Sequence, residues 1–112
     1  MADINRITAA VVDCAYRIHV KLGPGLLESV YEIILARDLA RQGFLVERQR
    51  CISFDFEGLW FQDAFRVDLI VDNAVIVEIK SVSKIAIAHE KQLLTYIKLL
   101  DFRAGLLLNF GA

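Results

Sequence analysis

The amino-acid sequence predicts an α/β (α+β) fold, a mixed sheet flanked by helices, with elements in the order ααββββαβ. Three observations lead there. Apolar residues recur at helical spacing as far as Gly43, fall into strand-like runs from Phe44 to Val82, and return to helical spacing from Ala86. Turn residues punctuate the changes, at Gly23-Pro24-Gly25, Gly43 and Glu57-Gly58. The segments Val67 to Val71 and Val75 to Ile79 are aliphatic on both alternating sets, so the sheet needs cover on both faces.

Each element has its own signal. Ile7, Val11, Cys14 and Ile18 mark one face of a first helix that starts after Asp3 and stops at Gly23. Leu27, Val30, Tyr31, Ile34 and Leu35 through Leu39 mark a second helix, ended by Gly43. Strands are expected at Val46 to Arg50, Ile52 to Phe56, Leu59 to Val71 and Val75 to Val82, as an antiparallel meander. A third helix, Ala86 to Leu100, carries Leu93, Leu94, Ile97 and Leu100 on one side, and Gly105 to Phe110 reads as the last strand. With 112 residues and no repeat, linker or low-complexity tract, one domain over 1–112 is expected.

Composition narrows the function classes. The balance of 13 Lys and Arg against 14 Asp and Glu excludes a global basic field. No apolar run approaches the ~20 residues of a membrane span, and Asp3 stands where a signal peptide carries positive charge. The expectation is a cytoplasmic protein with no membrane partner. Cys14 and Cys51 lack metal-finger or disulfide spacing and are expected as buried small hydrophobes. Hydrophobic residues make up 56%, which is high for so small an interior, so either a partner subunit or a further piece of chain covers apolar surface, and at least a homodimer that uses helix or edge-strand surface is expected.

The stretch VIVEIKSV, Val75 to Val82, sets the functional question. Glu78 and Lys80 interrupt an aliphatic strand, and residues two apart share a face. In the preceding strand Arg66, Asp68 and Ile70 share one. Asp68 falls opposite Glu78 only if the connection has an odd number of residues centred on Asn73, whereas a two-residue turn would send Glu78 to the other face. The odd connection, a three-residue loop or a bulge, is expected. Two carboxylates so placed repel each other, and a hard divalent cation, Mg²⁺ or Mn²⁺, relieves the repulsion. Lys80 on the same face would stabilise charge on a phosphate or hold the attacking water. A solvated sheet end with ordinary ion pairing accounts for the same three residues.

Further motifs lie on the helices. Gly25, Glu28 and Tyr31 in GPGLLESVYE fit G-x-x-E-x-x-Y, and Gln92 with Tyr96 in HEKQLLTYIKLL fits Q-x-x-x-Y. With these in order around Asp68, Glu78 and Lys80, the sequence resembles the GxxExxY protein family of the PD-(D/E)XK nuclease-like superfamily, with a motif order similar to RecB-type nucleases. The resemblance runs from about Ile4 to Phe110. It implies a restriction-endonuclease-like fold in which Asp68 and Glu78 hold the metal and Lys80 assists the water. Glu28 would be an accessory metal or water-orienting carboxylate, and Gln92 and Tyr96 would line the cleft. Two departures stand out: Val67 precedes Asp68 in place of proline, and relatives commonly continue past the LLLNF strand.

Other polar residues have simpler expectations. Glu32 reads as an acid favoured by the helix dipole. Tyr31 and Tyr96 also suit core aromatics with an edge hydroxyl. His19 reads as a surface residue, and His89 is left open between surface and cleft. Arg48, Arg50 and Arg66 are the first candidates to touch phosphates, although a solvated strand face explains them too. Two functions remain. One is a metal-dependent nuclease acting on nucleic acid, DNA first; the other is a non-catalytic oligomeric binding or assembly module on the same fold.

Overall fold

A computed structural model describes residues 3–112. Helices α1 (Ile4–Leu22) and α2 (Glu28–Arg41) precede strands β1 (Val46–Phe56), β2 (Leu59–Val71) and β3 (Val75–Lys80), followed by helix α3 (Ile87–Leu100) and strand β4 (Ala104–Asn109). The four strands form one mixed sheet in the order β1-β2-β3-β4. β1, β2 and β3 are antiparallel neighbours, and α3 carries the chain over to β4, which runs parallel to β3. The expected mixed sheet with helices on both sides is present. Among the described residues no helix is long and apolar enough to cross a membrane.

One expected boundary dissolves. The segments Val46 to Arg50 and Ile52 to Phe56 are a single strand, because nothing at Cys51 can turn the chain and the ladder with β2 runs through it, Cys51 against Arg66. What interrupts β1 is subtler. Gln49 has φ 52°, in the left-handed region, and drops out of the ladder between Arg48 and Arg50. Further along, the register shifts between Ile52 and Phe54, where Asp63 of β2 has φ 48° and donates its N–H to Ser53 Oγ at 2.8 Å.

Apolar side chains fill both faces of the sheet. On one side Ile7, Val11 and Ile18 of α1 and Leu35 and Leu39 of α2 pack with Leu69, Val71, Val77 and Ile79. On the other, Leu93 of α3 packs with Ile52, Val67, Ile70 and Ile76. The fit of α3 against β4 explains Gly105, since a Cβ there would run into Ile97 and Leu93. Cys14 is buried as expected, but Cys51 is exposed, and both are free.

The G-x-x-E-x-x-Y motif is a clasp. Tyr31, fully buried, donates its hydroxyl to Gly23 C=O (2.6 Å) and accepts from Leu26 N–H (3.1 Å), which pins the loop between α1 and α2. Its ring stacks on Phe110 with centroids 4.3 Å apart. Gly25 has φ 103°, a conformation that L side chains rarely adopt. Glu28 accepts from Ser81 N–H (2.9 Å) and Leu26 C=O from Ser81 Oγ (3.3 Å), so the same loop is fastened to the end of β3.

Tyr31→Phe keeps the stacked ring and removes both hydroxyl bonds. The expected loss is about 1 to 3 kcal/mol of unfolding free energy in urea titration, because a part-buried carbonyl and N–H lose their partner. A loss indistinguishable from zero would mean that the loop is not held by this clasp.

Candidate active site

The register of β2 against β3 decides the site. Val71 faces Val75, Ile70 faces Ile76 and Leu69 faces Val77, so three residues, Asp72 to Ala74, connect the strands. The turn itself is tight. Asp72 and Asn73 both have positive φ, and Ala74 N–H closes it on Val71 C=O at 3.0 Å. Ala74 is the extra residue that makes the connection odd, as the parity of the two acids requires. One step beyond the last ladder pair, Asp68 stands opposite Glu78.

There side chains replace the backbone ladder. Asp68 N–H donates to Glu78 Oε2 (3.0 Å), and Ile79 N–H donates to Asp68 Oδ2 (2.8 Å). Each carboxylate is thus held by a main-chain donor of the other strand. Glu78 is 5% exposed, whereas Asp68 and Lys80 are half-buried. Burial first, and the neighbouring charge of Asp68 second, push the Glu78 carboxyl up to about 8, with Lys80 opposing only weakly. At neutral pH Glu78 therefore holds a proton. Lys80 forms no ion pair among the described residues.

A second chain of contacts reaches Asp68 from the other side. Glu32, buried on α2, is paired with Arg48 of β1 (3.0 Å) and accepts a hydrogen bond from the Gln49 amide. The same Gln49 nitrogen lies 3.4 Å from Asp68 Oδ1. The left-handed backbone at Gln49 is what turns this side chain out of the strand pattern towards both acids. Neither residue was among the sequence candidates, and Glu32 does not fit its expected role as a first-turn acid favoured by the helix dipole, because it lies beyond the first turn of α2 and is buried. One signal was present: Glu32 lies on the stripe of Leu35, Ala36 and Leu39, and a carboxylate on a buried stripe needs a cation.

The remaining candidates divide. Tyr96 comes to the site: its ring stacks on Phe65 (4.1 Å), and its hydroxyl proton is held more tightly than usual, by burial first and then by the charges of Glu78 and Asp68. Gln92, one turn before it on α3, opposes this shift. Glu28 does not join the pair as a third ligand, since its carboxylate is bound to Ser81 N–H, and among the described residues no three His, Cys, Asp or Glu side chains gather within metal-binding reach. Arg48 is engaged by Glu32, Arg50 lies 3.4 Å from both Glu47 and Asn73, and Arg66 is exposed. His89 turns away from any ligand role and accepts from Ala86 N–H at the start of α3, while His19 Nε2 lies 2.9 Å from Ala112 O.

A strand pair with an acid on the first strand and Glu-x-Lys on the second, flanked by helices, has a counterpart among known families. The family model described as the PD-(D/E)XK nuclease superfamily matches residues 5–112. The chain belongs to this superfamily. No curated protein and no solved structure matches the chain.

The donor set fits a hard divalent cation of the kind that PD-(D/E)XK nucleases generally use. Both groups offer oxygen, and one or two carboxylates are what Mg²⁺ takes when water and phosphate complete its shell.

The raised proton affinity of Glu78 has a sign that can be checked. Its folded value, about 8, exceeds the ordinary 4.5, so the folded state binds the extra proton between these limits. Stability contributed by this group therefore falls as pH rises from about 4.5 to 8. Glu78→Gln, which keeps the shape without the charge, is expected to raise the Tm at pH 8.5 by several degrees and to leave it nearly unchanged at pH 4.5. Equal shifts at both pH values would contradict the burial of an ionisable carboxyl.

Proposed function

We propose that the domain is a divalent-metal-dependent nuclease that hydrolyses phosphodiester bonds of nucleic acid, with DNA as the first substrate. The observation that carries the reading is the opposition of Asp68 and Glu78 across β2 and β3, with Lys80 on the same strand and in no ion pair among the described residues. The finer likeness to GxxExxY proteins with a RecB-type motif order belongs to the same proposal.

When bound, Mg²⁺ or Mn²⁺ supplies Lewis-acid charge to the phosphate. Asp68 and Glu78 would hold it, Glu78 as its carboxylate. Lys80 orients the attacking water and offsets the charge that develops on the phosphate oxygens, a task that needs an ammonium free of a carboxylate partner. Tyr96, kept protonated by the acids around it, is a hydrogen-bond donor at the cleft, and Gln92 sets its direction. Glu28 acts on the site through Ser81, one residue past Lys80, by fixing the end of β3. Arg66, exposed on β2 two residues before Asp68, is the first of the arginines to test for phosphate contact, because Arg48 and Arg50 already have acidic partners.

Calorimetric titration with Mn²⁺ and cleavage of labelled single- and double-stranded DNA and RNA test the reading together. Asp68→Ala and Glu78→Ala are expected to lose metal binding while remaining folded. Lys80→Ala is expected to bind the metal as the parent does and to cut roughly a hundredfold more slowly, the scale of one positioned electrostatic group. If no substrate is cut with either metal, the domain is a binding or assembly module on a nuclease fold; if Lys80→Ala cuts as fast as the parent, the role given to Lys80 fails.

A further inference from the structure

One side chain next to the acidic pair stands on a backbone that does not suit it. Gln49 has φ 52°, a conformation that glycine and asparagine adopt far more readily than glutamine. What glutamine adds is reach. The ladder joins Arg48 to Leu69 and Arg50 to Val67 and omits the pair between them, so Gln49 and Asp68 stand opposite each other at a gap in the β1–β2 pairing. Across that gap the Gln49 amide spans two acids from different elements, Glu32 of α2 and Asp68 of β2.

The orientation of the amide follows from its neighbours. Both groups it faces are carboxylate oxygens, and an ionised carboxylate only accepts, so the atom between them is the nitrogen, with one N–H for each. Its far end is anchored. Glu32 is 4% exposed and its two oxygens are divided: Oε2 takes the Arg48 guanidinium through Nη2 (3.0 Å) and Nε (3.1 Å), and Oε1 takes Gln49. Arg48 thus fixes Glu32, and Glu32 fixes the amide.

At the near end the amide lies 3.4 Å from Asp68 Oδ1, while Ile79 N–H holds Oδ2 at 2.8 Å. The two donors come from the strands on either side of β2, one to each oxygen, and together they limit rotation of the carboxylate. Each oxygen keeps a lone pair for a further partner. A neutral donor suits such a place. Lys or Arg in the same position would pair with Asp68 and compete with a cation, whereas an amide N–H directs the oxygen and leaves its charge in place.

We propose that Gln49 is a positioning residue of the candidate metal site: its amide, held by Glu32 and Arg48, sets the direction of the Asp68 carboxylate and through it the affinity for a divalent cation. The cation rests on the metal-dependent reading above; the hold on Asp68 does not.

Two variants separate this role from a purely structural one, in which residue 49 only kinks β1. Gln49→Asn suits the left-handed backbone but is one carbon too short to span both acids, and Gln49→Met keeps the length without the N–H. Calorimetry gives the Mn²⁺ dissociation constant, and hydrogen exchange of the metal-free protein gives the protection of the Ile79 amide relative to the amides of the β3–β4 ladder. Both variants are expected to match the parent in circular dichroism, to bind Mn²⁺ about tenfold more weakly, and to exchange Ile79 N–H faster as its acceptor swings away. If Gln49→Met fails to fold, Gln49→Asn decides alone. Parent-like Mn²⁺ affinity in Gln49→Asn overturns the proposal, since the backbone alone would then matter. Parent-like protection of Ile79 overturns the hold on Asp68 whether or not metal binds. A parent that binds no Mn²⁺ overturns the metal reading and the cation role with it, and the Ile79 amide tells that failure from the other.

Discussion

Everything at the candidate site depends on a single extra residue in a turn. Ala74 makes the β2–β3 connection three residues long, and with that parity Asp68 and Glu78 face each other on the side of the sheet that α3 covers. Remove it, and Glu78 would point among Leu69, Val77 and the side chains of α1 and α2, where an acid has no partner. The aliphatic residues that surround the pair enforce the register in turn. Ile70 and Ile76 fill the α3 side, and Val71, Val75 and Val77 the other, so a slip by one residue would misplace all of them at once. Packing thus holds in place two carboxyl groups that would repel each other if both were ionised.

The helices contribute to the site by tethering rather than by crowding in. α2 meets the sheet at two polar points, Glu28 on Ser81 N–H and Glu32 on Arg48 and Gln49, and between them Tyr31 fastens the preceding loop. Both acids lie on the inward half of the same helix, one turn apart. Glu28 secures the strand end that bears Lys80, and Glu32 secures, through Gln49, the outer oxygen of Asp68. α3 supplies Tyr96, stacked on Phe65 of β2, so α2 and α3 approach the acidic pair from opposite faces of the sheet.

What the sequence made legible follows from which features are periodic. Alternation and helical spacing are set by geometry, so α1, α2, α3 and the facing of Asp68, Glu78 and Lys80 could be read from residue order. The course of β1 could not. Cys51 offered no reason to join or separate its halves, and the kink at Gln49 uses a left-handed backbone without the glycine or asparagine that usually announces one. Hence Gln49 went unnoticed, and with it the role of Glu32. Glu28, expected as an accessory metal or water-orienting carboxylate, also accepts from Ser81 N–H, a donor that only the folded loop brings near and that residue order could not announce.

The four acids around the site differ in how their charge is compensated, and the difference locates the demand for a cation. Glu28 is exposed and accepts from one N–H. Glu32 has a guanidinium and an amide. Asp68, half-buried, has Ile79 N–H and the more distant Gln49 amide. Glu78, the most enclosed member of the pair, has one backbone donor, a like charge opposite and only a weak pull from Lys80, and it meets this by keeping a proton at neutral pH. A proton is a light occupant that a divalent ion can replace, and replacing it would also satisfy Asp68 across the strand gap. Positive charge is in shortest supply between these two residues, while the other acids are already served by partners within the fold. This imbalance therefore gives a cation a stronger reason to bind there than at Glu28 or Glu32.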